Sequence, residues 1–99
     1  MGTQSVRRAT LISTLLSAAL LCGCASAPVQ EMSNARQALR AAQDAGAATK
    51  ATATFTEAQI ALNRAEGQLN KHLYRSARRS AEEAHKKAVE ALTVAREQK

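Results

Sequence analysis

The sequence predicts an all-α fold, either an antiparallel helical hairpin or a small three-helix bundle with alanine-rich seams. From Glu31 onward the chain is rich in Ala, Arg, Gln, Glu and Lys, which are strong helix formers, and no alternating strand pattern occurs. Near the C-terminus alanines recur at intervals of four, three, four, three and four residues, which places them on one helix face. These alanines are Ala77, Ala81, Ala84, Ala88, Ala91 and Ala95.

The first 23 residues have the pattern of a targeting signal. Arg7 and Arg8 precede an apolar run at residues 9–21, and no acidic residue comes before it. The run is too short to span a membrane, because crossing the hydrocarbon core takes about 20 apolar residues. A buried helix of a folded domain fits poorly, since small residues and Pro28 follow the run directly.

The two cysteines, Cys22 and Cys24, stand at the end of this run. The stretch Leu21-Cys22-Gly23-Cys24 resembles the lipobox of bacterial lipoproteins. The resemblance implies a diacylglyceryl thioether on Cys24, cleavage after Gly23, and acylation of the new amino group by a fatty acid such as palmitate. Leu21 and Gly23 would flank the cleavage site, Cys22 would leave with the signal peptide of residues 1–23, and residues 24–30 would form a lipidated tether. A plain secretory signal with a fortuitous cysteine is the alternative.

Redox, disulfide and metal roles are not expected for these cysteines. Cysteines separated by one residue rarely reach unstrained disulfide geometry. A structural zinc site needs about four ligands, and the two histidines, His72 and His85, lie far along the chain. We therefore predict no metal site and no cofactor, apart from the covalent lipid on Cys24.

The remaining chain, residues 24–99, is short enough to form a single domain. Loss of Arg7 and Arg8 leaves twelve basic residues against eight acidic ones, so the net charge falls from +6 to +4. Nucleic acid is not an expected partner, because the basic residues are not interleaved with aromatic residues that stack on bases. The helical domain is predicted at residues 31–99, with helices at about 31–46, 55–70 and 73–97.

Apolar stripes define the first two helices. The stretch Asp44-Ala45-Gly46 is a stop signal for the first, and residues 47–54 are expected to form a partly helical connection. The second helix is expected to open with a capping box between Thr54 and Glu57 and to turn around Asn70. The stripes comprise Met32, Ala35, Leu39 and Ala42 in the first helix, and Phe55, Ala58, Leu62, Ala65 and Leu69 in the second.

The runs MSNARQALRAAQDAGA and AEGQLNKHLYRSARRSAEEAHKKAVEALTVA resemble a family of small, alanine-rich bacterial envelope lipoproteins that carry the domain of unknown function 4398. The family's pattern usually has an Ala-Pro dipeptide that opens the second helix, whereas this chain has ATATFTE there. The resemblance implies a helical envelope lipoprotein and no particular activity. The matching positions are Ala35, Ala38, Ala42, Gly46, Leu69, Tyr74, Ala77, Ala81, Ala84, Ala88 and Ala95.

A candidate basic contact patch stands at the start of the third helix. Lys71, Arg75, Arg78 and Arg79 would suit anionic lipid headgroups or cell-wall carboxylates. We favour a solvated helix face instead, because Arg78 and Arg79 have Glu82 and Glu83 four residues further on. Glu82 and Lys86 are four apart as well, and each such pair stabilises a helix by tenths of a kcal/mol.

We expect no enzymatic activity, since no nucleophile, phosphate loop or paired carboxylates stand in a catalytic spacing. A structural or protein-interaction role is expected instead. The resemblance to bacterial lipoproteins implies the periplasmic face of the outer membrane, because an aspartate directly after the anchor is the usual inner-membrane retention signal and this chain has Ala25 there. Expected partners are membrane lipid through the acyl chains, another copy or an envelope protein, and peptidoglycan. The last belongs to the alternative: the chain is similar to the murein lipoproteins in ending with lysine, which makes Lys99 a candidate attachment point.

Overall fold

Four helices make up most of residues 27–98, the part of the chain that the structure, a computed structural model, describes. No strand occurs in this part, which confirms the all-α prediction. The predicted signal, its cleavage site, Cys24 and Lys99 lie outside the described residues. The helices are α1 (Val29–Asp44), α2 (Ala47–Lys50), α3 (Thr52–Asn70) and α4 (Tyr74–Glu97).

The three long helices form an up-down-up bundle in which α4 packs along both α1 and α3. The core layers establish the helix directions, because residue numbers rise together in α1 and α4 and fall in α3. Of the two predicted architectures, the three-helix bundle is therefore the observed one. The first two layers are Met32, Ala65 and Ala81, followed by Ala35, Ala61 and Ala84.

Alanine supplies most of the core. All six alanines of the predicted α4 seam are buried, and so is the whole predicted stripe of α1. In α3 the structure differs from the prediction, because Leu62 and Leu69 are only partly buried while Ala61 is fully buried. A methyl group at position 61 fits the narrow layer with Ala35 and Ala84, and Leu62 packs against the side of that layer.

The small side chains set the energetics of the bundle. Alanine seams let helix axes approach to the short end of the usual range of about 8–10 Å. Each buried methyl or methylene group contributes only about 0.8 kcal/mol, so the larger core residues matter disproportionately. Those residues are Met32 near one end and Leu39 and Phe55 toward the other.

The connection between α1 and α3 depends on a glycine. Gly46 has φ 83°, in the left-handed region that residues with a Cβ avoid, and its N–H donates to the Gln43 carbonyl at 3.0 Å. The predicted stop at residues 44–46 is thus where α1 ends. The following α2 makes the connection partly helical, as expected, and its Ala47 lies in the core.

The predicted capping box at Thr54 and Glu57 is wrong. α3 begins at Thr52, and its N-cap is Ala51, which makes no side-chain capping hydrogen bond. Thr54 already lies inside the helix, because the Phe55 N–H donates to the Ala51 carbonyl at 2.9 Å. Ala51 stands at the break between α2 and α3 and is buried in the core. The free energy of this burial outweighs the local preference for a cap at Thr54.

Overpacking tests the alanine layer. Ala84→Leu is expected to destabilise the domain by about 1–3 kcal/mol, because the larger side chain has no room between Ala35 and Ala61. The neighbouring exposed residue provides the control, His85→Leu, which should leave stability within about 0.5 kcal/mol. Thermal unfolding followed by circular dichroism compares the two variants. Equal melting temperatures would contradict the close packing of this layer.

The two described glycines with different backbone conformations predict opposite effects of alanine. Gly46→Ala should destabilise by about 1–2 kcal/mol, because alanine is strained at positive φ. Gly67→Ala should stabilise by up to about 1 kcal/mol, because Gly67 lies inside α3 with open space where a Cβ would go. Urea denaturation measures both changes, and a stabilising Gly46→Ala would contradict the left-handed conformation of Gly46 at the end of α1.

Candidate functional site

The predicted basic patch lies at one end of the bundle, which we call the turn end. It comprises residues 71–73, which connect α3 to α4, the first turns of α4, and residues 28 and 29, where the chain enters α1. The layer of Met32, Ala65 and Ala81 lies just inside this end. The patch and the entry of the polypeptide into the bundle are therefore neighbours, a placement that only the three-dimensional fold provides.

Arg78 differs from the other three patch residues. Its Nε donates to Glu31 Oε1 of α1 at 3.1 Å, and both side chains are about 29% exposed. Arg78 thus joins α4 to α1 as a structural residue. Lys71, Arg75 and Arg79 are exposed on the turn end and the first turns of α4.

The turn itself is held by local contacts. His72 has φ 61°, the one positive value among the described non-glycine residues. Its Nδ1 lies 3.0 Å from the Tyr74 hydroxyl, and the two rings meet edge to face with centroids 5.8 Å apart. Beside it, the Ser80 hydroxyl donates to Gln68 Oε1 at 2.6 Å, which joins the ends of α3 and α4. These contacts give His72 and Tyr74 a packing role at the turn.

Exposed apolar side chains at the turn end were not predicted as a surface feature. Leu73 is 51% exposed and Val29 is 73% exposed. The sequence shows that both residues fall outside the apolar stripes, but their placement at the same end of the bundle depends on the antiparallel return of α3 and the entry of α1. Two other large apolar residues are exposed in the described part, Ile60 and Val89, and they lie along the sides of α3 and α4.

A groove of about 420 Å³ runs between α1 and α3, away from the turn end. Its floor is apolar and its walls carry Arg36, Arg40 and three side-chain amides. Arg36 also pairs with Glu66 of α3 at 3.3 Å. None of the groove residues is a nucleophile or a general base. The apolar floor is formed by Leu39, Phe55 and Leu62, and the amides are Gln43, Gln59 and Asn63.

Ion pairs cross all three helix interfaces. One pair, Arg36 with Glu66, joins α1 to α3, and another, Arg78 with Glu31, joins α4 to α1. Two pairs join α3 to α4: Arg64 with Glu83, and Lys87 with Glu57. The N···O distances of the four pairs are 3.1–3.3 Å. The ion pairs predicted from the sequence all lie within the third helix. The cross-helix partners become visible once the packing faces are known.

Lys87 is the centre of the pairing between α3 and α4. Its hydrogen bond to the Glu57 carboxylate, followed by attraction to Glu57 and Glu90, raises the pKa of the Lys87 ammonium above its usual 10.5. A raised folded-state pKa means that the stabilisation is fully present below pH 10.5 and is lost as the pH rises through the folded-state value.

Among residues 27–98, no three His, Cys, Asp or Glu side chains are grouped to hold a metal ion. None of the helices in this part has the length and apolar character needed to cross a membrane.

A family model for a domain of unknown function, DUF4398, matches residues 30–99. The chain belongs to the DUF4398 family. The match covers the whole bundle from the first turn of α1 to the end of α4, so the four helices are the structure of a DUF4398 domain. Neither a curated protein nor a solved structure matches the chain.

The Lys87 pairing predicts an alkaline effect on stability. Wild type should melt at a higher temperature than Lys87→Gln below pH 10.5, and this advantage should shrink as the pH rises further, because the ammonium loses its charge. Thermal melts of both proteins across that range measure the difference. An advantage that is unchanged at the highest pH would show that charge on Lys87 does not contribute to stability.

Proposed function

We propose that this DUF4398 protein is a lipoprotein of the bacterial cell envelope, anchored through lipid on Cys24. The observation that carries the proposal is the stretch Leu21-Cys22-Gly23-Cys24 after a basic and apolar leader. The geometry agrees with an anchor, since Cys24 stands only four residues before Pro28, the N-cap of α1. A thioether at this position would hold the bundle directly at a membrane surface.

Within that setting a structural or protein-interaction role is proposed rather than catalysis. The groove between α1 and α3 offers arginines and amides, which bind but do not supply a nucleophile or base. A thin bundle with an alanine core also has little room for a closed, water-free site. The exposed sides of the bundle offer a long surface for contact with another copy or with an envelope protein. A location at the periplasmic face of the outer membrane is supported by Ala25, because lipoproteins retained in the inner membrane usually have an aspartate at this position.

A tether to peptidoglycan through Lys99 is the second candidate function. In its favour, α4 carries the chain away from the turn end, so its last residue, Glu97, lies at the opposite end from the proposed anchor. Twenty-four helical residues span about 36 Å. Lys99 follows two residues after α4. Purified sacculi that release the protein only after muramidase treatment would support the tether, and complete extraction by hot detergent would exclude it.

Metabolic labelling tests the anchor. Cells that express the full chain are fed an alkyne-tagged fatty acid, and the protein should take up label. Cys24→Ser should abolish the label, because the thioether sulfur is gone. Cys22→Ser provides the matched control and should retain the label, since Cys22 is expected to leave with the signal. Label retained in Cys24→Ser would contradict the anchor assignment.

A further inference from the structure

We propose that the turn end of the bundle is a docking surface for an anionic phospholipid membrane and orients α4 away from that membrane. The inference rests on the proposed anchor at Cys24 and goes beyond it. It assigns a second contact with the lipid, made by side chains of the folded domain. The residues concerned are Lys71, Leu73, Arg75, Arg79 and Val29.

Three cations at the turn end are free to meet headgroups. Lys71, Arg75 and Arg79 are exposed, and none of them forms an ion pair with another described residue. Two of the nearby carboxylates, Glu31 and Glu66, are already engaged by arginines. Glu82, one turn further along α4, also faces solvent. The net charge of the side chains at the turn end is therefore positive.

Apolar side chains accompany these cations. Leu73 stands in the turn between Lys71 and Arg75, and half of it is exposed to solvent. Val29 is more exposed still, at the first residue of α1. An apolar residue flanked by basic residues is the composition of surfaces that insert at the boundary between headgroups and acyl chains. The same exposure costs free energy in water, which a membrane contact would remove.

The position of the anchor selects this end of the bundle. Four peptide units separate Cys24 from Pro28, and consecutive Cα atoms are about 3.8 Å apart, so the two residues are at most about 15 Å apart. The opposite end, with Lys50 and Arg96, lies about 36 Å further along α4, far beyond the Debye length of about 8 Å at physiological salt. With α4 directed away from the membrane, the turn end is therefore the part of the bundle that experiences the charge of the membrane to which Cys24 is attached.

The expected strength is substantial for so small a surface. Each basic residue close to an anionic membrane contributes roughly a fivefold increase in binding, so three together amount to on the order of 100-fold. Because the anchor already holds the protein at the membrane, this factor appears as occupancy of the docked orientation. Replacement of anionic by zwitterionic lipid should remove it.

Tryptophan fluorescence tests the docked orientation, because the chain has no tryptophan of its own. Leu73→Trp places a probe on the proposed surface, and Val89→Trp places the control at a similarly exposed apolar position on the side of α4. The full chain is expressed in cells, purified, and reconstituted into vesicles with brominated acyl chains, either phosphatidylglycerol with phosphatidylcholine or phosphatidylcholine alone.

Leu73→Trp should be quenched at least twofold more than Val89→Trp in the anionic vesicles, and this excess should largely disappear in phosphatidylcholine. Adding Lys71→Gln, Arg75→Gln and Arg79→Gln to Leu73→Trp should remove it too, whereas Lys50→Gln and Arg96→Gln should not. Circular dichroism checks that every variant keeps the helix content of wild type. Equal quenching of the two probes, or quenching that ignores lipid charge, would overturn the inference.

The mass of the purified protein separates this inference from the anchor. Lipid mass on Cys24 together with unequal quenching supports both. Lipid mass with equal quenching overturns the docking surface and leaves the anchor in place. Absence of lipid mass overturns the anchor, and with it the orientation inferred here.

Discussion

The whole bundle is organised by the close approach of α1 and α3 to the alanine face of α4. Six buried alanines form that face, and each layer across the bundle has at most one or two large side chains. The helix axes can approach closely because the side chains between them are mostly alanine methyl groups. The small size of these side chains also limits the hydrophobic stabilisation. The stability of the domain therefore depends on a continuous alanine seam and not on a few large buried side chains.

The thin core explains why polar contacts bridge every interface. With small side chains inside, long arginine, lysine and glutamate side chains reach across the outer edges of the bundle and meet there. Exposed pairs of this kind contribute little individually, about 0–1 kcal/mol. Their value lies in fixing which helix faces meet, since a rotated helix would separate several pairs together. The groove between α1 and α3 remains open because both helices direct their alanines toward α4.

The sequence predicted the parts of the fold that follow from periodicity. The seams of α1 and α4 are regular and agree with the buried residues, and Gly46 marks the end of α1 because its φ is positive. The pattern of α3 was ambiguous, since Ala61 and Leu62 compete for one position and only the width of the layer decides between them. The cap at Thr54 failed because burial of Ala51 overrode a local signal. The placement of the exposed Leu73 and Val29 at the same end of the bundle could not be predicted from the sequence, because it depends on the directions of all three long helices.

Because α1, α3 and α4 share the alanine seam, they are expected to form one cooperative unit. Native-state hydrogen exchange tests it most directly, residue by residue. Buried amides in the middle of α1, such as Ala35, and in α4, such as Ala84 and Ala88, should exchange with one common free energy equal to that of global unfolding. If α1 exchanged at a clearly lower free energy than α3 and α4, the domain would be a helical hairpin with a loosely attached third helix and not one cooperative bundle.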